Sequence, residues 1–340
     1  MPIWKTQPRQ PAIDAPLSGF HAWLQGLSRR DEHYLISKPR RFAHEEENYD
    51  AQYRNQPTNR AVGEGVVNIC REYKGDRTSP AIEIGCGTGL ASLGLAVEKA
   101  YPYVLLTDPS PAFLNIAKHK LGQAEALSDQ VGFGVLMAED LDRLPSQMFS
   151  LVLLRSVLHH VIDIPAFVKE AARVLKPGGL MVMEEPCQEG AVLMASVAQF
   201  LPFLVAAAGE TWSPESQRLL QLFLDTMKFY CRRDIDKSKG EDKHIFRVDE
   251  LHAVGDAAGF TVHFVANQTF YNWANKARGK PASELFSDFM GRYLQLCMRF
   301  DDSFMDHFNR HLRPHCAWID ELSRQGNGPY NHGIFVWRRR

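Results

Sequence analysis

The sequence predicts an α/β fold built on a doubly wound sheet, and three observations carry that expectation. The stretch Ala81-Ile82-Glu83-Ile84-Gly85-Cys86-Gly87-Thr88-Gly89 runs from an apolar strand straight into three glycines spaced two apart, with a helix to follow. Roughly 20 residues on, Tyr103 to Asp108 reads as a second strand that ends in an acid, the spacing at which open α/β sheets place a ligand-binding carboxylate. Beyond it, apolar runs and helical patterns alternate as far as Pro186, which is how βαβ units are written.

Each element follows from its residues. Glycine lets the chain turn tightly after the first strand and lets backbone amides approach a ligand with no Cβ in the way. Ser110 and Pro111 open the next helix as N-cap and first-turn proline, and Phe113, Ile116, Ala117 and Leu121 form its apolar face. A third strand, Val131 to Met137, leads into Ala138-Glu139-Asp140-Leu141. A fourth, Phe149 to Leu154, leads into Arg155-Ser156-Val157-Leu158-His159-His160. The following helix presents Phe167, Val168, Ala171 and Leu175, and Lys176-Pro177-Gly178-Gly179 stops it. A fifth strand, Leu180 to Met183, ends in Glu184-Glu185-Pro186.

In order and spacing, EIGCGTG, the acid in LLTDPSPAFLNIAK, AEDL, LRSVLHHV, RVLKPGG and the strand after it resemble the class I S-adenosylmethionine-dependent methyltransferases, small-molecule branch. The resemblance implies a Rossmann-like, seven-stranded doubly wound sheet whose C-terminal strand is antiparallel. Thr261 to Ala266 fits the sixth strand and Gly333-Ile334-Phe335-Val336-Trp337 the seventh. The implied organisation is an N-terminal extension (1–60), a cofactor-binding core (61–186), a helical lid insertion (187–245), a core continuation (246–270), a second helical lid insertion (271–328) and a final core strand (329–340).

Residues 1–30, with Pro2, Pro8, Pro11 and Pro16 among polar residues, read as an irregular lead-in. The first insertion reads as two helices, near 191–208 and 214–231, then a charged loop from Arg232 to Lys243. The second carries an aromatic stripe, Phe286, Phe289, Tyr293, Phe300, Phe304 and Phe308, at helical spacing. Both leave the sheet near the carboxyl ends of strands five and six, so they are expected to pack together over the acceptor pocket. A helical, aromatic lid suits a largely apolar substrate, while packing alone explains most of the stripe.

Composition narrows the function classes. Lys plus Arg (39) nearly equals Asp plus Glu (40), which argues against a basic surface for nucleic acid. Six scattered cysteines form no C-x-x-C pair, so neither a disulfide framework nor a thiolate zinc site is expected, and the default compartment is a cytoplasmic, reducing one. No basic start followed by an apolar run opens the sequence, which reads as no secretion signal. Ala191 to Ala208 is apolar but interrupted by Ser196, Gln199 and Pro202 and short for a bilayer, so it reads as a buried or cap helix rather than a membrane span. A homo-oligomer stays open.

The resemblance implies S-adenosyl-L-methionine as cofactor and gives the residues roles. Gly85, Gly87 and Gly89, with Cys86 between them, shape the wall beside its methionine part, Glu83 attracts its ammonium, and Asp108, followed by Pro109, holds the ribose hydroxyls. Ala138 and Glu139, or Asp140, meet the adenine; Arg155 lines the methionine end. Tyr49 or Tyr53 is a candidate to cover the cofactor or substrate, although two aromatics packing a helix on the sheet is the better explanation of both, because aromatics supply much core area. The chain departs from the family at Met137 and Ser150, where relatives carry Asp.

Methyl transfer is an in-line displacement, and a general base is needed only for a hydroxyl or acidic carbon acceptor. His159 and His160 are the candidate bases, and Glu184 could face the acceptor. Outside these motifs, His307, His311 and His315 are spaced by four, with Asp301, Asp302 and Asp306 nearby. His307 and His311 share a helical face, but a solvated polar face opposite the aromatic stripe explains all six, and no metal is expected. The resulting expectation is methylation of a small, largely apolar or aromatic metabolite at O or C. The alternatives are an RNA or protein methyltransferase, and a cofactor-binding protein that performs no methyl transfer.

Overall fold

The computed structural model describes residues 15–40, 50–51, 56–240, 242–277 and 284–340. One nine-stranded sheet organises it: β1 (Arg29–Arg30), β2 (His33–Leu35), β3 (Ala81–Ile84), β4 (Val104–Asp108), β5 (Val131–Val135), β6 (Phe149–Arg155), β7 (Leu175–Pro186), β8 (Phe260–Ala266) and β9 (His332–Arg339). Their order across the sheet is β1-β2-β5-β4-β3-β6-β7-β9-β8. Strands β2 to β7 pair in parallel, and β9 runs antiparallel to both β7 and β8. The seven strands from β3 onward form the expected Rossmann-like sheet with its antiparallel last strand; β1 and β2 are additional.

Burial on both faces explains the continuous apolar strands. Ile82, Leu105, Val152, Met181 and Trp337 go to one core, while Ala81, Leu106, Leu151, Val182 and Val336 go to the other. The alternation follows from the two-residue period of a strand.

The N-terminal extension differs from the expected irregular lead-in. Helix α1 (Ala15–Gln25) inserts Phe20 and Leu24, one helical turn apart, fully into the first core, with the Phe20 ring against Tyr103 and Phe149. Next, β2 pairs along β5, and Arg40 donates its amide to the Pro109 carbonyl (2.8 Å). Apolar spacing within α1 overrides the prolines around it, since Pro16 falls in the first turn, where no amide is missed.

The stop of the helix before β7 also differs. After α2 (Gln56–Glu72), α3 (Ser92–Glu98) and α4 (Pro111–Gln123), helix α5 (Ile164–Val174) stops before Leu175. Lys176-Pro177-Gly178-Gly179 lies within the extended chain of β7, which shifts register against β6 there. Gly178 takes a positive φ (79°), and Pro177 needs no ladder amide at such an irregularity.

The insertions make a third core of their own. Helices α6 (Gln188–Ala198), α7 (Leu201–Ala207) and α8 (Pro214–Cys231) meet α11 (Phe286–Arg292), α12 (Asp302–His307) and α13 (Ala317–Arg324) through Met194, Phe223, Phe286, Phe304, Phe308 and Ile319. Between them in the chain, α9 (Val248–Ala257) packs beside β8, and α10 (Phe270–Ala277) sends Phe270 and Trp273 into the sheet core. The phenylalanines of the aromatic stripe thus pack one insertion on the other, with Tyr293 partly buried at the edge of that core. Gln188–Ala207 is long and apolar enough to cross a membrane by length and composition, yet it breaks at Gln199 and Phe200, and only a third of its apolar window is buried. Ala191, Met194, Ala198, Leu201 and Val205 are buried in the third core, as the cap-helix reading expects, while Phe200 and Phe203 on the outer face are exposed.

Backbone contact joins α2 to α3 at Gly63 and Gly94. A Cβ on Gly63 would overlap the Gly94 Cα and the Ala91 carbonyl. Gly63→Ala is expected to cost about 3 kcal/mol, the upper range for overpacking, because backbone must move. Gly19→Ala, in exposed helix with nothing near its would-be Cβ, should instead stabilise by roughly 0.5–1 kcal/mol. Urea unfolding of the two variants checks both signs.

Candidate active site

The carboxyl ends of four neighbouring strands bring Asp108 (β4), Glu83 (β3), Arg155 (β6) and Glu184 (β7) together. Strand parity puts all four on the sheet face of the second core, beside the glycine loop. Gly85, Gly87 and Gly89 all adopt positive φ (66°, 52° and 88°), which explains glycine at each position. A Cβ would strike Val157 at Gly85 and crowd Ala117 at Gly89, but at Gly87 it would meet nothing within 4 Å. Gly87 therefore opens on free space. Cys86 is buried, and burial holds its thiol well above the ordinary range.

Asp108 organises the loop. Its Oδ2 accepts the Gly87 amide (2.9 Å) and its Oδ1 the Ser110 amide (2.8 Å), which leaves each oxygen a lone pair. Burial raises its pKa to about 6, against the pull of those two amides. Glu83 is more strongly affected. Its pKa rises to about 7 through burial, while the Ser92 hydroxyl, donating at 2.7 Å, and the Arg155 charge oppose that shift. Arg155 lies 3.6 Å from Glu184, with its Nε buried and without a hydrogen bond. The second Glu184 oxygen accepts the Phe270 amide (2.7 Å) and so anchors the start of α10.

These observations suit the cofactor that the glycine motif implies. Two buried carboxylates with spare lone pairs, an orphaned guanidinium nitrogen and glycine-lined free space offer partners for hydroxyls, an ammonium and a carboxylate. The adenine end is less as expected. Ala138 begins a 3-10 stretch (Ala138–Arg143) that kinks at Asp140, Glu139 is exposed, and Asp140 pairs with Arg143 at 3.5 Å. Asp140 is half-buried beside Arg143, and Glu139 reaches the surface of the same turn. Pro109 instead accepts the Arg40 amide, and Met137 donates its amide to Ser37 Oγ (3.0 Å). Ser150, the other family departure, sits far away at the amino end of β6, where it donates to Asp76 (2.9 Å) and accepts the Ser79 amide. Tyr49 and Tyr53 lie outside the described residues.

On the other sheet face, Glu185 holds the loop after β6. Its Oε1 accepts the amides of Val157 (2.9 Å) and Leu158 (2.7 Å), and its Oε2 lies 2.8 Å from His159 Nδ1. Burial alone would lower the His159 pKa, but Glu185, with Asp242 behind it, outweighs that and raises it. Asp242 comes from the charged loop and approaches His159 Nε2 (3.6 Å) and His160 Nδ1 (3.2 Å), while Tyr230 donates to its other oxygen. A cavity opens alongside, lined by Ile162, Arg232, Arg233, Ile235, Lys237 and His244.

Sequence reasoning gave a role to Glu184 and missed Glu185, although the two are adjacent. It also missed Asp50, whose buried carboxylate pairs with buried Lys120 next to the Thr88 hydroxyl and ties the N-terminal segment to the glycine loop.

Residues 82–183 match the family described as "Methyltransferase domain". Among curated proteins, the chain is 33% identical to the ubiquinone biosynthesis O-methyltransferase of Methylobacterium nodulans, over 33% of this chain and 45% of that protein. It is 34% identical to a reducing polyketide synthase of Preussia isomera, over 39% of this chain and 6% of that protein. The chain thus spans less than half the length of these relatives. Among solved structures, geranyl diphosphate C-methyltransferase of Streptomyces coelicolor is similar at a TM-score of 0.45 and 12% identity, over 81% of this chain and 75% of that one. The matched stretch, residues 82–183, is the strand–helix core around the glycine loop, and it is this core that is similar to the methyltransferase domain family.

Proposed function

We propose that this protein transfers a methyl group from S-adenosylmethionine to a hydroxyl or acidic carbon of a small, largely apolar or aromatic metabolite. The observation that carries the choice of acceptor is the Glu185–His159 pair. An imidazole whose Nδ1 donates to a carboxylate keeps Nε2 as its basic nitrogen. His159 Nε2 is therefore the atom that takes the acceptor's proton, and Glu185 stabilises the imidazolium that forms. The printed names of the curated relatives, an O-methyltransferase and a polyketide synthase, support a small-molecule acceptor.

The remaining residues position the reactants. Asp108 accepts from ribose hydroxyls, Glu83 receives the ammonium, and Arg155 pairs the carboxylate. When bound, the cofactor supplies an electrophilic methyl on a sulfonium. Orientation of the acceptor against it supplies much of the rate, and the chain contributes that by walls and hydrogen bonds rather than by covalent chemistry.

Three results are expected. Asp108→Ala should abolish measurable cofactor binding in calorimetry while the fold is retained; unchanged affinity would remove the ribose assignment. Affinity should fall with acid. Burial favours the protonated carboxyls, so the stability they give the ligand-free protein is lost progressively as pH rises from the ordinary carboxylate range of about 4 up to about 6 for Asp108 and about 7 for Glu83, and binding needs the ionised forms. Cofactor affinity therefore weakens as pH drops through that window, and calorimetry in buffers of different ionisation enthalpy should register proton release on binding. His159→Ala should keep cofactor affinity and lose roughly 10²–10⁴-fold in turnover, read as S-adenosylhomocysteine formed. The acid limb of the pH–rate profile should lie above the ordinary histidine value and move to lower pH in Glu185→Gln. Full turnover in His159→Ala would sink the base, and cofactor binding with no product would favour a non-methylating protein.

A further inference from the structure

The three lid histidines do not form the solvated face that their spacing suggested. His315 is exposed, but His307 is nine-tenths buried and His311 nearly so, and both turn toward Glu210 of the other insertion. His307 Nδ1 lies 3.5 Å from one Glu210 oxygen and His311 Nε2 lies 3.2 Å from the other. Both nitrogens are buried and make no hydrogen bond. The three donor atoms lie within 4.8 Å of one another.

We propose that Glu210, His307 and His311 bind a divalent transition-metal ion, of which Zn2+ is the best match, and that the ion staples the two lid insertions together. Donors about 2.0–2.1 Å from a tetrahedral zinc lie roughly 3.3 Å from each other; the three donor atoms, within 4.8 Å of one another, reach that spacing by a small contraction and a turn of the Glu210 carboxylate that offers one oxygen to both imidazoles. Two imidazoles and a carboxylate leave one position for water, and this borderline donor set selects zinc-like ions over Mg2+ or Ca2+.

The backbone presents the donors firmly. Gly209, at φ 74°, ends α7, and the amides of Gly209 and Glu210 return to the Ala206 and Val205 carbonyls, which fixes Glu210 by a Schellman cap. His307 ends α12, and the residues from Phe308 to Leu312 follow as a π-helical turn, a wider winding often found at functional sites. The Trp212 ring packs against His307 (centroids 5.6 Å apart) and limits its rotation.

Arg310 is the competing cation. It grips both Glu210 oxygens (2.6 and 3.0 Å), but it also holds Asp306 through two nitrogens (2.9 and 2.6 Å). An arriving ion therefore displaces Arg310 onto a carboxylate it already binds.

The test is titration of Zn2+ into the chelator-stripped full chain against a chromophoric chelator, with thermal melting alongside. Wild type should take up Zn2+ with micromolar or tighter affinity and melt at higher temperature with the ion. His311→Gln and Glu210→Gln should each weaken that site at least about tenfold and lose the thermal gain, while circular dichroism confirms their fold. Arg310→Ala should tighten it by removing a competing charge; an arginine-centred ion-pair network would show only destabilisation. No uptake by wild type, or equal uptake by wild type and both donor variants, overturns the proposal. So does loss of the Zn2+ equivalent in Asp242→Asn but not in His311→Gln, which would assign uptake to the His159, His160 and Asp242 cluster.

Discussion

Four carboxylates buried at one end of the sheet are the constraint on which the rest of this molecule depends. A buried carboxylate is costly unless it accepts hydrogen bonds. Here each is met by a group from a neighbouring loop or helix: Gly87 and Ser110 amides on Asp108, Ser92 hydroxyl on Glu83, the Phe270 amide on Glu184, and the Val157 and Leu158 amides on Glu185. The glycine loop, the turn after β6 and the first helix beyond β8 are held in place by charge at strand ends. Under the proposed function Asp108 and Glu83 also meet the ligand, so the atoms that hold the glycine loop in shape would be those that recognise its occupant.

Strand geometry divides the work between two adjacent residues. Glu184 and Glu185 follow one another in β7, so their side chains leave opposite faces of the sheet. Glu184 joins Arg155 on the face of the glycine loop, and Glu185 joins His159 on the other. A shift of one residue in β7 would exchange them and leave His159 without its partner, which makes the register of β7 against β6 and β9 a functional quantity as well as a structural one.

The parts of this arrangement legible in the sequence are those encoded over short distances. The glycine loop, the acid closing β4, the Ser110 cap and the apolar alternation of the strands each need only a few neighbouring residues to be recognised. Contacts between distant segments left no such trace. Asp50 and Lys120 are 70 positions apart and ordinary in composition, and Glu210 reads as one more surface acid until its distance to His307 and His311 is known. Parity in β7 was readable in principle, since alternation from Met181 and Val182 separates Glu184 from Glu185. The lid stripe was read with the right period, but which surface it faced depended on the packing of two insertions some 60 residues or more apart in the chain.

The added strands at the N-terminal side change how this protein meets its own copies. A bare β5 would expose a row of amides and carbonyls ready to pair with any passing strand. β2 covers β5, and the outermost strand, β1, is only two residues long, both of them exposed arginines. So short an edge offers a passing strand few free amides and carbonyls, and self-association by sheet extension is thus discouraged at β1.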